Sequence, residues 1–339
     1  MKLDILYKGG TVTDSGTQRS TKDTFVESAA QTIKRIFGSS DSPLGAEIAE
    51  ATSRLNKIDH AVYPKPSDTR LIAVANQKGG VGKTTTTVNI AAALALAGLH
   101  VLVIDMDPQG NASTALGIKH NSGEPSVYDV LEGRLSIDDV KQVCPDFDHL
   151  EVVPASIDLS GAELELADEP NRSELLHNAV ISFLEQHQGD YDYVLIDCPP
   201  SLGLLVINSM CAVNEVLIPI QAEYYALEGL GQLINTIGLV QNHYNSDLLV
   251  STMLVTMFDK RTLLSKEVYT EVKEHYPDIV LDTTIPRTVK IAEAPSFGQT
   301  VIAYDGHGMG AIAYREAALE IARRSEQVIK ELATKRGEN

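Results

Sequence analysis

The chain predicts an α/β protein built on a mostly parallel, doubly wound sheet, and three observations carry that expectation. Short apolar runs alternate with longer stretches at helical spacing, as strands covered on both faces by helices require. A glycine-rich segment, Gly79-Gly80-Val81-Gly82, stands between the first apolar run and a helical stretch. The chain has 339 residues and is 43% hydrophobic, enough for one large core or two smaller ones.

The elements follow in order. Residues 1–68 form an N-terminal extension that is flexible or partly helical, and 69–335 form the main domain. Within the extension Phe25, Ala29, Ile33, Ile36 and Phe37 fall near helical spacing before Gly38. Leu44, Ile48, Ala51 and Leu55 suggest a second short amphipathic helix, and Tyr63-Pro64-Lys65-Pro66 reads as a linker. Strands are expected at 71–75, 101–105, 150–153, 193–197, 216–220, 250–255 and 300–303. The stretch 88–97 reads as a buried helix closed by Gly98. Right-handed crossovers would wind these strands into one layer, with a ligand at their carboxyl ends. No internal repeat and no helix-turn-helix pattern emerges.

Residues 76–86, Asn-Gln-Lys-Gly-Gly-Val-Gly-Lys-Thr-Thr-Thr, carry the chemistry. Gly79, Gly80 and Gly82 lack a Cβ, so the backbone can fold around a phosphate and aim successive N–H groups at it. The helix beginning near Lys83 adds the positive end of its dipole. Lys83 supplies charge to the outer phosphates, and the Thr84 hydroxyl is suited to Mg²⁺. Thr85 continues the loop. Gln77 stands where the usual pattern has glycine, and Lys78 is an extra cation ahead of the glycines. The setting of strand, glycine turn and helix makes this a P-loop, and the fold a P-loop NTPase.

Lys78-Gly-Gly-Val-Gly-Lys-Thr-Thr85 resembles the deviant Walker A motif of the ParA/MinD/Soj ATPases. Asp105-Met-Asp107-Pro-Gln-Gly-Asn-Ala-Ser113 resembles their switch I. Leu195-Ile-Asp197-Cys-Pro-Pro-Ser201 resembles their Walker B and switch II. Ile285-Pro-Arg287-Thr-Val-Lys290-Ile-Ala-Glu293-Ala-Pro-Ser296 resembles a late motif typical of chromosomal ParA proteins. Together these cover roughly 70–333.

The resemblance implies a slow, partner-stimulated ATPase using ATP and Mg²⁺. Lys78 would cross a homodimer interface to the partner's phosphates, and Asp107 would orient the attacking water. Lys78, Lys83 and Asp107 are thus the catalytic set. Thr84 would ligate the metal, with Asp105 and Asp197 acting on it through water. Gly79, Gly80, Val81, Gly82, Lys83, Thr84 and Thr85 would hold the nucleotide, with Phe258 and Pro286 as walls for adenine. The resemblance further implies nonspecific DNA as a ligand of the ATP dimer and a ParB-type centromere-binding protein that stimulates hydrolysis. The extension is suited to a polar landmark protein, a membrane touch or docking on the core.

The formal net charge of −18 looks wrong for a DNA-binding protein until it is divided. Residues 1–70 carry +1, 71–250 carry −18 and 251–339 carry −1. The last third can therefore hold a local basic patch. Arg261 and Lys290 match DNA-binding positions of the resembled family; Arg287, Arg315, Arg323 and Arg324 are further candidates.

Cys144, Cys198 and Cys211 are odd in number and not at metal-binding spacing, so they read as reduced packing residues. They speak against nitrogenase iron protein, a relative of this fold. No apolar run reaches the ~18 residues of a membrane span, and the N-terminus has no signal-like apolar region. A cytoplasmic, nucleoid-associated protein is expected. The rival reading is a MinD-like membrane-cycling ATPase that positions cell division. Its lipid-binding C-terminal helix has no clear counterpart in the alanine-rich stretch 314–335.

Overall fold

A computed structural model describes residues 43–337 except 167, 168, 170, 202, 224 and 225. The helix suggested by Phe25 to Phe37 lies outside the described residues. The second suggested helix is present as α1 (Pro43–Asp59).

Seven strands make one sheet: β1 (Arg70–Val74), β2 (Val101–Asp105), β3 (Gln142–Val143), β4 (Leu150–Val153), β5 (Tyr193–Asp197), β6 (Glu215–Gln221) and β7 (Leu249–Thr256). Their spatial order is β3-β4-β2-β5-β1-β6-β7. All neighbours are parallel except the edge pair β3 and β4. The longer helices after α1 are α2 (Lys83–Leu96), α3 (Leu175–Gln186), α4 (Leu204–Cys211), α5 (Ala226–His243), α6 (Leu263–His275), α7 (Met309–Arg323) and α8 (Ser325–Gly337).

The two-residue period of a strand divides the core into two layers. Leu71 and Ala73 of β1 face one way, with Leu102, Ile104, Val194 and Ile196, against α3, α4 and α5. Ile72 and Val74 face the other way, with Val101, Val103 and Leu195, against α2 and α7. Five of the central strand residues, 70–74, are buried, as expected where both faces are covered. The three cysteines are buried and unbridged.

Two expectations need correction. Residues 300–303 do not form a strand. Thr300 accepts a hydrogen bond from the Ala303 N–H at 3.3 Å and caps a helical turn, Val301–Tyr304. Val301 and Ile302 are buried in that turn, so apolar content alone misled the strand reading. The short β3 was not anticipated, since two residues carry no periodicity. Tyr63 and Pro66 pack as part of the domain: Pro66 is buried and the Tyr63 hydroxyl donates to the Arg315 carbonyl at 2.8 Å.

One ion pair pins the amino ends of the central strands. Arg70 donates through Nε to Glu215 at 2.8 Å and through its outer nitrogen to the Ile321 carbonyl at 2.8 Å and the Ser325 hydroxyl at 3.1 Å. Both side chains are about 1% exposed, so neither charge has water to fall back on. Replacing Arg70→Met is expected to destabilise the protein by about 3–5 kcal/mol, because Glu215 is left buried and unpaired. Adding Glu215→Leu should recover most of that loss in urea unfolding, whereas an additive double mutant would show that the pair is not the source.

Candidate nucleotide site

The site lies at the carboxyl ends of β1, β2 and β5. The chain leaves β1 through Asn76, whose side chain donates to the Pro219 carbonyl at 2.8 Å and accepts from the Lys78 N–H at 3.0 Å. Gly80 and Gly82 sit at φ of 74° and 90°, a region costly for a residue with a Cβ. Those two conformations close the loop, and Gly82 begins α2 with no side-chain cap. The first N–H groups of α2 therefore face outward, ready for an anion.

Lys83 is buried, and its ammonium lies 3.5 Å from the Lys78 carbonyl. Burial holds its pKa below the ordinary lysine value, and the charges of Asp197 and Asp107 offset part of that shift. A phosphate in the loop would relieve the same deficit. Val81 is buried, and Thr84 and Thr85 are half-buried in the first turn of α2.

The register of β2 on β5 sets Asp105 opposite Asp197. Both are fully buried. Burial raises the pKa of each, and for Asp197 the neighbouring charge of Asp105 raises it further. Asp105 accepts from the Ser113 N–H at 2.9 Å, the Ser113 hydroxyl at 2.7 Å and the Asp107 N–H at 3.1 Å. Its carboxylate is thus the anchor of the loop 105–113. Asp107 accepts from the Gln109 N–H at 3.0 Å and lies close enough to Lys83 to influence it.

Asp197 accepts from the Thr87 hydroxyl at 2.9 Å through one oxygen, and its other oxygen is buried without a hydrogen-bond partner. Buried acceptors of that kind are rare and call for an explanation. A water of a cation's hydration shell, held between Asp197 and the Thr84 hydroxyl, would satisfy it. Among the described residues no group of three His, Cys, Asp or Glu could hold a metal alone. The donors fit a hard cation that takes most of its oxygens from phosphate and water.

Lys78 is at the rim, about one-third exposed, and forms an ion pair with Glu223 at 3.2 Å. Sequence reasoning gave no role to Glu223, Thr87 or Ser113. Thr87 could have been found one turn beyond Lys83, whereas Glu223 depends on how β6 ends.

The proposed adenine walls come together. Phe258 and Pro286 form an isolated parallel bridge, and Thr256 donates to the Val81 carbonyl at 2.8 Å, tying this segment to the loop. The basic candidates divide. Arg261, Arg287 and Lys290 are exposed on the segments that flank the bridge. Arg261 pairs with Asp259 at 2.8 Å and Lys290 with Glu293 at 3.1 Å. Arg323 and Arg324 instead close α7, beside Ile321 and Ser325, which hold Arg70 at the amino ends of the strands. Arg324 bonds Glu320 and the carbonyls of Asp278 and Val280, and Arg315 pairs with Asp59.

The family described as an AAA domain matches residues 69–250. Sporulation initiation inhibitor protein Soj of Bacillus subtilis is 49% identical over 75% of this chain and 98% of its own length. The chromosome partitioning protein ParA of Caulobacter vibrioides is 46% identical over 75% of this chain and 94% of its own. The chain belongs to the ParA/Soj family of chromosome-partitioning ATPases. A Mycobacterium smegmatis structure described as cobyrinic acid a,c-diamide synthase, with an ATP analogue and magnesium, superposes with a TM-score of 0.64. It is 40% identical over 76% of this chain and 95% of that one. Cell division ATPase MinD of Pyrococcus furiosus superposes at 0.60 with 27% identity, over 75% and 98%. Membership of the family places the P-loop and both aspartates within the matched region.

Because burial holds Asp197 above its unfolded pKa, ionising it in the folded state opposes folding. That penalty is absent below the unfolded value of about 3.9 and grows as pH rises from there toward the folded pKa. Asp197→Asn should therefore raise the thermal midpoint of the nucleotide-free protein at pH 7.5. The gain should shrink as pH falls toward 4. A midpoint unchanged or lowered at pH 7.5 would contradict it.

Proposed function

We propose that the chain is a ParA-type partition ATPase whose ATP-bound dimer binds DNA without sequence preference. The observation that carries this reading is Lys78. It sits beside a complete phosphate loop yet points to an exposed partner, Glu223, rather than into its own site. An exposed ion pair of that kind contributes ~0–1 kcal/mol. A charge-assisted bond to a phosphate contributes ~1.5–3 kcal/mol, and two-fold symmetry doubles it. Exchange of Glu223 for a second subunit's nucleotide is therefore favourable, and it makes ATP the link between subunits.

Within each subunit Lys83 and the N–H groups of the loop hold the phosphates. Thr84, with Asp197 through water, would hold Mg²⁺, which supplies neutralising charge on the outer phosphates. Asp107, fixed by Asp105 and Ser113, orients the water that attacks. A ParB-type protein would accelerate this step, and hydrolysis would dissolve the dimer and release DNA. Arg261, Arg287 and Lys290 form the proposed phosphate-backbone surface, and the homodimer doubles it. Residues ahead of α1 would engage a further partner such as a polar landmark protein, and the ATP-bound protein would sit on the nucleoid.

The MinD-like alternative is less well supported. Among the described residues no helix is long and apolar enough to cross a membrane. Val328 and Leu332 of α8 are buried with Leu249, and Lys335 of α8 donates to the carbonyls of Ser246 and Leu248. An inserting helix needs that apolar face exposed.

Wild-type protein and Lys78→Ala are each to be tested for DNA retention with ATP and with ADP. Retention only by wild type with ATP is expected; equal retention in all four conditions would overturn the nucleotide gate. Asp107→Ala should lower turnover ~100-fold or more, the range for loss of a positioned acid–base group, while ATP-dependent retention persists. In titrations at several salt concentrations, Arg261→Ala and Lys290→Ala should each weaken binding of unrelated duplexes alike and reduce the salt slope by about one.

A further inference from the structure

Phe297 is 62% exposed on the segment that carries Lys290, and its ring does not stand alone. It stacks on Tyr304, with ring centroids 5.0 Å apart and planes 18° from parallel. The Lys290 ammonium lies 5.1 Å from the centre of the same Tyr304 ring. Glu293 accepts from Lys290 at 3.1 Å and from the Tyr304 hydroxyl at 3.4 Å. Two stacked rings and an exposed cation thus meet at one place on the surface.

The local backbone fixes the pair. Ala294–Phe297 is a short 3₁₀ turn, closed by the Gly298 N–H on the Pro295 carbonyl at 3.0 Å and the Gln299 N–H on the Ala294 carbonyl at 3.3 Å. Gly298 takes a φ of 65°, so the chain turns away directly after Phe297. Thr300 then caps the turn Val301–Tyr304, whose Val301 N–H donates to the Asn89 side chain of α2 at 2.8 Å. Tyr304 is half-buried and packs on the core layer that holds α2 and α7. It is the fixed backing, and Phe297 is the outer ring. A lone exposed apolar side chain is ordinary. A ring backed by a second ring and flanked by a lysine has the makeup of a base-stacking site.

Geometry selects the ligand. An aromatic ring stacks only on a face, and in a paired duplex each base has its faces covered by neighbouring pairs and shows only its edges in the grooves. An unpaired base has a face to offer. Tyr304 covers one face of Phe297, and the exposure of Phe297 leaves the other open to a third layer. We propose that Phe297, backed by Tyr304, stacks an unpaired DNA base while Lys290 meets the backbone that carries it. This rests on the DNA-binding reading above and adds a contact to bases where Arg261, Arg287 and Lys290 meet only phosphates. Stacking reads no hydrogen-bond pattern, so the contact tolerates any sequence.

The chain contains no tryptophan, so Phe297→Trp places a single fluorophore at the site. With ATP present, the full-length variant is titrated with oligothymidylate, with a fully paired duplex of equal length and with that duplex carrying a central unpaired bubble. Oligothymidylate and the bubble are expected to quench the introduced tryptophan, and the paired duplex is not. Phe297→Ala should weaken oligothymidylate binding about 5-fold or more, the loss of one stacked base, and leave paired-duplex binding unchanged. Phe297→Tyr should keep both, and the exposed position preserves folding in each variant. Equal quenching by the paired duplex would mean insertion between base pairs and would overturn the proposal. So would a Phe297→Ala protein that binds both DNAs as wild type does, or loses both alike. A blue shift of the tryptophan on phosphatidylserine vesicles, with no quenching by oligothymidylate, would assign the ring to a membrane and overturn it as well. Wild-type protein that retains neither paired nor single-stranded DNA with ATP would instead count against the partition reading itself.

Discussion

Two carboxylates buried side by side constrain everything at the nucleotide end of this fold. Parallel pairing of β2 with β5 puts Asp105 and Asp197 at the same level. Neither can be moved without breaking a central ladder. In a low-dielectric interior such a pair is unfavourable unless each member is given donors or positive charge. The chain does this differently for each. Asp105 takes three donors from the loop that follows it, which folds that loop back onto the sheet. Asp197 takes the Thr87 hydroxyl and leaves one oxygen for a ligand. Lys83, itself buried, sits where it answers both Asp197 and Asp107. The site is thus held in a state that a phosphate and a hydrated cation complete, which gives nucleotide binding a physical source in the apo charge imbalance.

The same balance explains why Lys78 is at the rim. A second lysine inside the cradle would repel Lys83 in the absence of phosphate. Outside it, Lys78 needs only a weak local partner, and Glu223 provides one at the end of β6. A weak partner is the useful kind here, because a buried, well-satisfied pair like Arg70 with Glu215 could not be exchanged. The two lysine and arginine pairs mark the two ends of the sheet. The amino end is locked by a pair that water never reaches, and the carboxyl end carries one that water and ligands compete for.

Much of this arrangement could be read before the fold was known, and the reasons are local. The strand at 101–105 and the strand at 193–197 were placed at their observed bounds because each is an uninterrupted apolar run closed by an aspartate. Gly80 and Gly82 declared their backbone conformations by being glycine. What escaped was set by contacts distant in sequence. Residues 300–303 look like a strand in composition, and only the Thr300 cap and the neighbouring α7 decide for a helical turn. Asp105 was read as acting on the metal through water, and its three donors from the loop that follows, two of them from Ser113, could not be read from spacing. Arg315 and Arg324 looked like members of a basic surface, while Asp59, Glu320 and two carbonyls engage their guanidinium groups.

The charge distribution joins these observations. A chain of net charge −18 that binds a polyanion has to keep its acid away from the contact face. Acid concentrated in 71–250 does that only if those residues lie away from Arg261, Arg287 and Lys290. On the basic side, Arg261 and Lys290 are each held by a neighbouring acid, Asp259 and Glu293, in exposed pairs. Those pairs keep the cations directed outward while contributing little energy of their own. On the proposed reading phosphate oxygens would replace the carboxylates at small cost, and counterions released from DNA would supply the driving force. One monomer offers three such cations on the segments flanking the Phe258–Pro286 bridge, too few for firm nonspecific binding at physiological salt. In the proposed dimer two subunits would offer six, and because the logarithm of affinity changes in proportion to the number of phosphate contacts, doubling the contacts would multiply affinity rather than add to it. On the proposed reading, dimerisation by nucleotide would suffice to switch DNA binding.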